Sequence, residues 1–301
     1  MRLTGLHLLL TYRCTYECDH CFVFSSPGSE ATMTLELIKK AIREAKELGT
    51  VEDIYFEGGE PFLYYPVLLA GVKYAKELGF ETGIVTNGYF ATSIEDAVEW
   101  LQPLKEAGLD SLSVSDDDFH GSLDNPDSHP ARTQAAAVQL GIDVGAICIE
   151  PPKEINDKIK GEPIIGGGVR FRGRAIEKLS DDTLPRKKWD TFTECPDEDF
   201  ESVGRLHLDP YGYLWSCQGL VFGNLNKSSL KEIIENYSLS QHPVFQPLSY
   251  GGPAELVRKY DLDLRGDYLD ACHLCYLARK ELRKKEGFKD FLAPGQVYGE
   301  V

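Results

Sequence analysis

Long apolar runs are missing from this 301-residue sequence. No stretch approaches the roughly 20 apolar residues of a membrane-spanning helix, so no span is expected. The N-terminal MRLTGLHLLLTYRC has too short an apolar core, and no small-residue cleavage site, for a signal peptide. A cytoplasmic location is therefore expected. Basic side chains are scarce: 32 Lys and Arg stand against 48 Asp and Glu, a formal charge of −16. Such a surface repels phosphate backbones and anionic lipids, which argues against nucleic acid or membrane surfaces as partners. Basic or neutral partners suit it better, and it also serves solubility alone. Internal repeats and low-complexity segments are lacking. The composition, 42% hydrophobic and 27% charged, is that of a globular chain, long enough for two domains.

Cysteine, in contrast, occurs eight times and in groups. Disulfides are rare in the cytoplasm, so grouping argues for metal ligation. Cys14, Cys18 and Cys21 are spaced C-x3-C-x2-C directly after an apolar run, Leu6 to Leu10. Three thiolates on one tight loop hold three corners of an iron–sulfur cube and leave one iron open for chemistry. This favours an enzyme over an electron carrier. The competing reading is zinc, which usually takes four closed ligands in paired knuckles. His20 would be the fourth, but beside Cys21 it would have to fold back sharply.

Strand-like and helix-like segments alternate over the first 180 residues. Expected strands are Leu6–Thr11, Asp53–Phe56, Glu81–Val85, Ser111–Ser115, Ile142–Ile149 and Val169–Phe171. Expected helices are Thr34–Leu48, Pro66–Leu78, Ser93–Ala107 and Ala131–Leu140, with Ser93 as an N-cap and Gly49, Gly79 and Gly141 as stops, and a further helix from about Gly173. Repeated strand–helix units build a parallel sheet with right-handed crossovers. The fold class expected is α/β, a partial (β/α)6 TIM-like barrel with reactive loops at the C-terminal strand ends. A charged stretch near 181–188 then leads into a smaller C-terminal domain with four cysteines, a hairpin around Tyr211-Gly212 and short helices. The division is 1–180 and 181–301.

The C-x3-C-x2-C loop, with His20 before its last cysteine, resembles the signature of the radical S-adenosylmethionine (radical SAM) enzymes. The resemblance covers about residues 5 to 180. It implies a [4Fe–4S] cluster on Cys14, Cys18 and Cys21 whose open iron chelates S-adenosylmethionine. Gly58-Gly59-Glu60-Pro61 resembles the family's glycine-rich turn, which holds the amino group of the methionine part. Ser115 takes a position used for the ribose or carboxylate, Arg132 one that pairs with the carboxylate, and His20 one that stacks near adenine. Asn87, at the end of the third strand, joins this cofactor-binding set. Gly145-Ala146-Ile147 partly resembles the adenine-contact motif, but Cys148-Ile149-Glu150 follows where a glycine is usual. The implied chemistry is reductive cleavage of S-adenosylmethionine to methionine and a 5′-deoxyadenosyl radical, which abstracts hydrogen from a substrate carbon.

Cys195, Cys217, Cys272 and Cys275 form the second group. The G-x4-C run ending at Cys217, with Gly223-Asn224 after it, resembles the SPASM and shorter twitch auxiliary-cluster domains. Four cysteines match the twitch type, which implies a second [4Fe–4S] cluster in the smaller iron–sulfur domain. On the residues alone, Cys272-x2-Cys275 reads equally as a zinc knuckle.

Cys148 is left over. If Ile142, Val144, Ala146 and Cys148 face inward, its thiol is placed to hand a hydrogen atom to a substrate radical, as in radical SAM epimerases. Otherwise it is a small buried hydrophobe. In the loop Ser115-Asp116-Asp117-Asp118-Phe119-His120 after the fourth strand, Asp117 or His120 offers a base, and the run of like-charged carboxylates raises some of its own pKa values, which would suit one. The alternative is a solvated capping loop. Arg174, in a Gly-Arg-Ala element similar to one in SPASM-type members, is expected to pack a domain interface or bind a substrate carboxylate.

The resemblance implies a flavodoxin- or ferredoxin-type reductant and a peptide or small-metabolite substrate. Two outcomes stand: oxidation or cross-linking with the auxiliary cluster as electron acceptor, and epimerisation with Cys148 as donor. A non-enzymatic iron–sulfur or zinc protein is the third. No leader-binding domain is expected ahead of the first strand, which weighs against a peptide.

Overall fold

The computed structural model describes residues 2–120, 125–156 and 163–300. Strands and helices alternate first: β1 (Gly5–Thr11), α1 (Leu35–Leu48), β2 (Asp53–Gly58), α2 (Tyr65–Glu77), β3 (Glu81–Thr86), α3 (Ile94–Glu106), β4 (Ser111–Ser115), α4 (His129–Gln139) and β5 (Asp143–Ile147). Local chemistry sets the helix ends. Thr34 and Ser93 accept from the third residue beyond each, and Gly49 closes α1 in the left-handed conformation. The β1 to β5 ladder is parallel throughout. Alternation divides its faces. Leu6, Leu8, Ile54, Phe56, Ile84, Leu112 and Val114 pack with α1–α4 in one core. His7, Leu9, Tyr55, Glu57 and the serines of β4 occupy the other face.

The second half continues with β6 (Lys153–Asn156), β7 (Pro163–Gly166), α5 (Ala175–Lys178), β8 (Lys187–Lys188), β9 (Arg205–Leu208), β10 (Tyr213–Trp215), β11 (Val221–Asn224), α6 (Leu230–Glu235), α7 (Phe245–Lys259), β12 (Asp267–Tyr268) and α8 (Ala271–Arg283). The main sheet runs β11-β10-β9-β1-β2-β3-β4-β5. Strand β9 lies parallel to β1, so the sheet crosses position 180 without a break. The expected hairpin is β9–β10, turning at Gly212 with φ 85°. A second core, containing Leu9, Tyr12, Trp215, Phe245 and Leu274, joins the inner face of β1 to α7 and α8.

The expected sixth strand, Val169–Phe171, does not form. Gly167 and Gly168 have φ of 97° and 82°, outside extended geometry, and a Cβ on Gly167 would sit 2.5 Å from the Pro151 carbonyl oxygen. Pairing with β5 is reduced to one parallel bridge between Glu150 and Gly168. Six parallel strands do lie side by side, but the sixth is β9, at the opposite edge beside β1. The barrel is open on the β5 side. Among the described residues, no helix is long and apolar enough to cross a membrane.

Candidate active site and cysteine clusters

The loop after β1 carries Cys14, Cys18 and Cys21, and hydrogen bonds fix its course. Cys14 N donates to the Ser26 carbonyl at 3.1 Å, and Cys21 N to that of Cys18 at 3.0 Å. Three N–H groups point at sulfur: Tyr16 N and Asn87 Nδ2 at Cys14 Sγ (3.4 and 3.5 Å), and Ser25 N at Cys21 Sγ (3.3 Å). Burial pushes both thiols up, with repulsion from Glu60 and then Cys21 taking Cys14 to about 11, and repulsion from Cys21 and Cys14 taking Cys18 to about 12. Such thiols ionise only against a cation, and bound iron is one. N–H donors aimed at sulfur suit the same group.

The turn after β2 lies flat against this loop. Gly59 N donates to Thr11 O at 2.7 Å and Glu60 N to Arg13 O at 2.9 Å. A Cβ on Gly59 would lie 2.2 Å from the Arg13 carbonyl oxygen, and one on Gly58, at φ 140°, 2.5 Å from that of Thr11. Both glycines are therefore required by close backbone approach. Glu60 is fully buried, and its carboxylate accepts from Phe62 N (3.0 Å), Thr86 Oγ1 (2.9 Å) and Asn87 N (2.8 Å). Burial pushes its pKa up to about 7. Its role in this structure is to lock the ends of β2 and β3 together, which holds Asn87 against Cys14.

The acidic loop after β4 closes over the cysteines. Asp117 Oδ1 pairs with His120 Nδ1 at 2.8 Å, and His120 Nε2 lies 3.2 Å from Cys18 Sγ. His20 sits against Phe119, ring centroids 4.5 Å apart, and its buried Nδ1 has no partner. Burial lowers the His20 pKa to about 4, so the ring is neutral. An orphaned neutral nitrogen beside the cysteine loop suits contact with a bound group. Asp117 departs from expectation. Burial opposes its ionisation, but the His120 hydrogen bond and charge, His20 and the Ile149 N–H together hold it below the ordinary range. A carboxylate this well partnered is a weak base, so Asp117 positions His120.

Three other positions were expected at the site. Ser115 ends β4 on the inner face. Arg132 instead donates from Nη1 to the carbonyls of Ala91 and Thr92 (3.3 and 3.0 Å), in the loop after β3. Cys148 is exposed, one residue beyond β5. Ile142 and Val144 pack into the helix-side core, and Val144 pairs with buried Leu112. The inner face of β5 is thus Asp143, Gly145 and Ile147, and Cys148 continues the outer series. Cys148 is not a small buried hydrophobe either, because among the described residues no sixth strand covers the β5 edge.

Sequence reasoning underrated the segment after the glycine turn. Arg174, 4% exposed, donates to the Cys18 carbonyl at 2.7 Å and the Ser25 carbonyl at 2.8 Å. Its own N–H reaches Cys21 O at 3.0 Å. Gly173, at φ 59°, lies so close that a Cβ would meet Phe22 Cα at 2.6 Å. Arg174 therefore clamps the cysteine loop.

With this geometry in place, comparison with known proteins decides the class. The family model described as "Radical SAM superfamily" matches residues 8–127. These residues are a radical SAM domain. YydG of Bacillus subtilis (strain 168), named for peptide biosynthesis, is 24% identical over 221 residues, 71% of this chain and 66% of YydG. The PqqA peptide cyclase of Streptomyces rochei is 34% identical over 137 residues, 44% of this chain and 32% of the cyclase. The matched stretch is thus a part of each relative. Among solved structures, BtrN in complex with AdoMet and 2-DOIA aligns at TM-score 0.49 and 18% identity, covering 78% of this chain and 82% of BtrN.

Beyond the radical SAM domain, the other four cysteines converge. Cys195, Cys217, Cys272 and Cys275 line one cavity with Arg172, Asp197, Glu198 and Arg279. Cys272 and Cys275 share one face of the first turn of α8, which Asp270 caps. The N–H groups of Asp197 and Glu198 point at Cys195, and Arg172 Nη1 at Cys217 Sγ, 3.2 Å away. Burial raises the thiols of Cys195, Cys272 and Cys275, the last to about 12. Donors and a cation around four thiols suit an iron–sulfur group. His273 packs on Tyr268 and Phe171 as a core residue. Two contacts lay beyond sequence reasoning: Arg172 on Cys217, and a partly buried His7–Glu57–His207 network. The Arg-x-Arg-x-Arg spacing and a histidine inside an apolar strand were their only traces.

Proposed function

We propose that the chain is a radical SAM enzyme that oxidises or cross-links a peptide, using a second [4Fe–4S] cluster on Cys195, Cys217, Cys272 and Cys275 as electron acceptor. The observation that carries this reading is the second four-cysteine cavity, joined to the first cysteine loop through the single segment Arg172–Arg174. When bound, the first cluster and S-adenosylmethionine supply hydrogen-atom abstraction from an unactivated carbon. Asn87, His120 and Arg174 fix the cysteine loop, the Gly58-Gly59 turn brings backbone close to it, and neutral His20 offers a free nitrogen. The peptide as substrate is supported by the names of YydG and the PqqA cyclase. The charge of −16 favours a cationic one. A small metabolite is the other substrate class. A flavodoxin- or ferredoxin-type protein in the cytoplasm would supply the low-potential electron.

Anaerobic reconstitution tests the reading. About eight irons per chain are expected from two four-iron clusters, with cleavage of S-adenosylmethionine to 5′-deoxyadenosine that Cys18→Ala abolishes. Stoichiometric zinc would refute it. Peptides encoded beside the gene, incubated with the loaded protein, should lose a hydrogen pair.

The second reading is epimerisation with Cys148 as hydrogen donor: the thiol follows the helix-side series of β5, and what favours the reading is its exposure one residue past the strand end, near the charges of Asp116–Asp118. Turnover in D2O would then place deuterium on substrate carbon, and Cys148→Ala would stop it. Full activity of that variant removes the epimerase reading.

A further inference from the structure

The segment Arg170–Arg174 touches both cysteine groups, and its arginines meet them differently. Arg174 bonds the carbonyls of Cys18 and Ser25, so its charge is directed at backbone oxygen. Arg172 aims at sulfur: Nη1 lies 3.2 Å from Cys217 Sγ. Its guanidinium is stacked 5.2 Å over the ring of Phe22, the residue after Cys21. A second buried cation, Arg279, lines the same cavity, anchored by Nη1 on the Gln218 carbonyl at 2.6 Å. Of the two carboxylates there, Asp197 is engaged by Arg170 at 2.8 Å and by Cys272 at 3.4 Å, and Glu198 is the other. The charges facing the first cysteine loop include the carboxylates of Glu60 and Asp117 as well as the guanidinium of Arg174.

Reduction adds one negative charge to an iron–sulfur cluster, and hydrogen bonds to sulfur and local charge set its potential. A guanidinium stays charged at any working pH and is fixed in direction by its planar fork. Held beside one thiolate, it stabilises the reduced cluster more than the oxidised one. The anionic neighbours of the first loop act in the opposite sense.

We propose that Arg172 is the potential-setting residue of the auxiliary cluster: its bond to Cys217 Sγ raises that cluster above the one on Cys14, Cys18 and Cys21. The proposal rests on the second-cluster reading. A substrate radical that gives up one electron and one proton would pass the electron to the auxiliary cluster and the proton to solvent. The potential difference gives that electron its direction.

Redox titration of the anaerobic, fully loaded protein, followed by electron paramagnetic resonance, tests this in Arg172→Met and Arg172→Lys. The Met variant should keep the iron content of the parent. The reduction equilibrium of its auxiliary cluster should fall tenfold or more, a midpoint shift of about 59 mV for a one-electron couple. The first cluster should not move, and the Lys variant should fall between. Unchanged potentials at full iron content overturn the proposal. Loss of auxiliary iron in both variants also overturns it, since Arg172 would then be a structural clamp. If the parent itself holds only one cluster, the second-cluster reading fails and the proposal falls with it.

Discussion

Arg174 Nη1 donates to the carbonyl of Cys18 at 2.7 Å, across 156 positions of sequence. The guanidinium's other arm reaches Ser25 O at 2.8 Å, so one buried side chain spans the cysteine loop. Truncation would remove the partner of the Ser25 carbonyl and leave that of Cys18 with Cys21 N alone. Arg174→Ala is expected to cost ~3 kcal/mol of stability. It should also lower iron bound at Cys14, Cys18 and Cys21 in anaerobic preparations. Arg174→Lys should recover only part, because an ammonium lacks the fork. Normal iron and stability in the alanine variant would show that the loop holds itself.

Gly59→Ala should be more damaging than its size implies. The added Cβ would lie 2.2 Å from Arg13 O, a backbone atom that cannot swing aside. Either the β2 turn or the cysteine loop must move. Expected is at least a tenfold loss of S-adenosylmethionine cleavage, with a fall in unfolding midpoint; an unaffected rate would mean that the turn relaxes freely.

Helix ends and the first five strands were legible because their causes are local. Thr34 and Ser93 cap helices within three residues, and Gly49 stops one in place. The cysteine groups were legible because ligand spacing is itself a local property. Pairing of β9 with β1 was not, because it joins segments about 200 positions apart and neither strand's pattern names its neighbour. The inner face of β5 was undecided for a related reason. Alternation gives two faces but not their direction until Leu112 and Val144 are seen to pair. Arg132 shows the limit of position alone, since an arginine on the expected helix found nearer carbonyls.

Asp209 gives the stability a definite pH dependence. It is fully buried, accepts from Tyr12 Oη at 3.0 Å and from the N–H groups of Tyr211 and Tyr213 (3.0 and 2.8 Å), and burial pushes its pKa up to about 7. The folded chain thus holds a proton that the unfolded chain releases between its ordinary value near 3.8 and about 7. Its contribution is full below that window and is lost as pH rises through it. Asn at this position can accept from both N–H groups and donate to Tyr12. Asp209→Asn should therefore match the parent near pH 4 and exceed it at pH 8, by on the order of a few kcal/mol. Urea unfolding at both pH values measures this, and equal destabilisation at both would mean that Asp209 is ionised in the fold.

Glu57 works with the opposite sign and ties the two halves of the sheet together. His7 Nδ1 on β1 lies 3.1 Å from Oε2, and His207 Nδ1 on β9 bonds Oε1. The imidazoles are themselves stacked, His7 on Tyr55 at 4.9 Å and His207 on Trp215 at 4.7 Å. Burial opposes ionisation of Glu57, but the two histidines overcome it and hold the carboxylate well below its ordinary range. Its stabilisation is therefore complete above the unfolded value near 4.5 and is lost as pH falls toward the folded value. Glu57→Ala is expected to cost ~3 kcal/mol at pH 7 and progressively less in acid. Because one of the two lost bonds joins β2 to β9, amide exchange at Leu206 and Leu208 should quicken more than at Leu112 and Val114. A change under ~0.5 kcal/mol with even exchange across the sheet would show that the β1–β9 ladder needs no such tie.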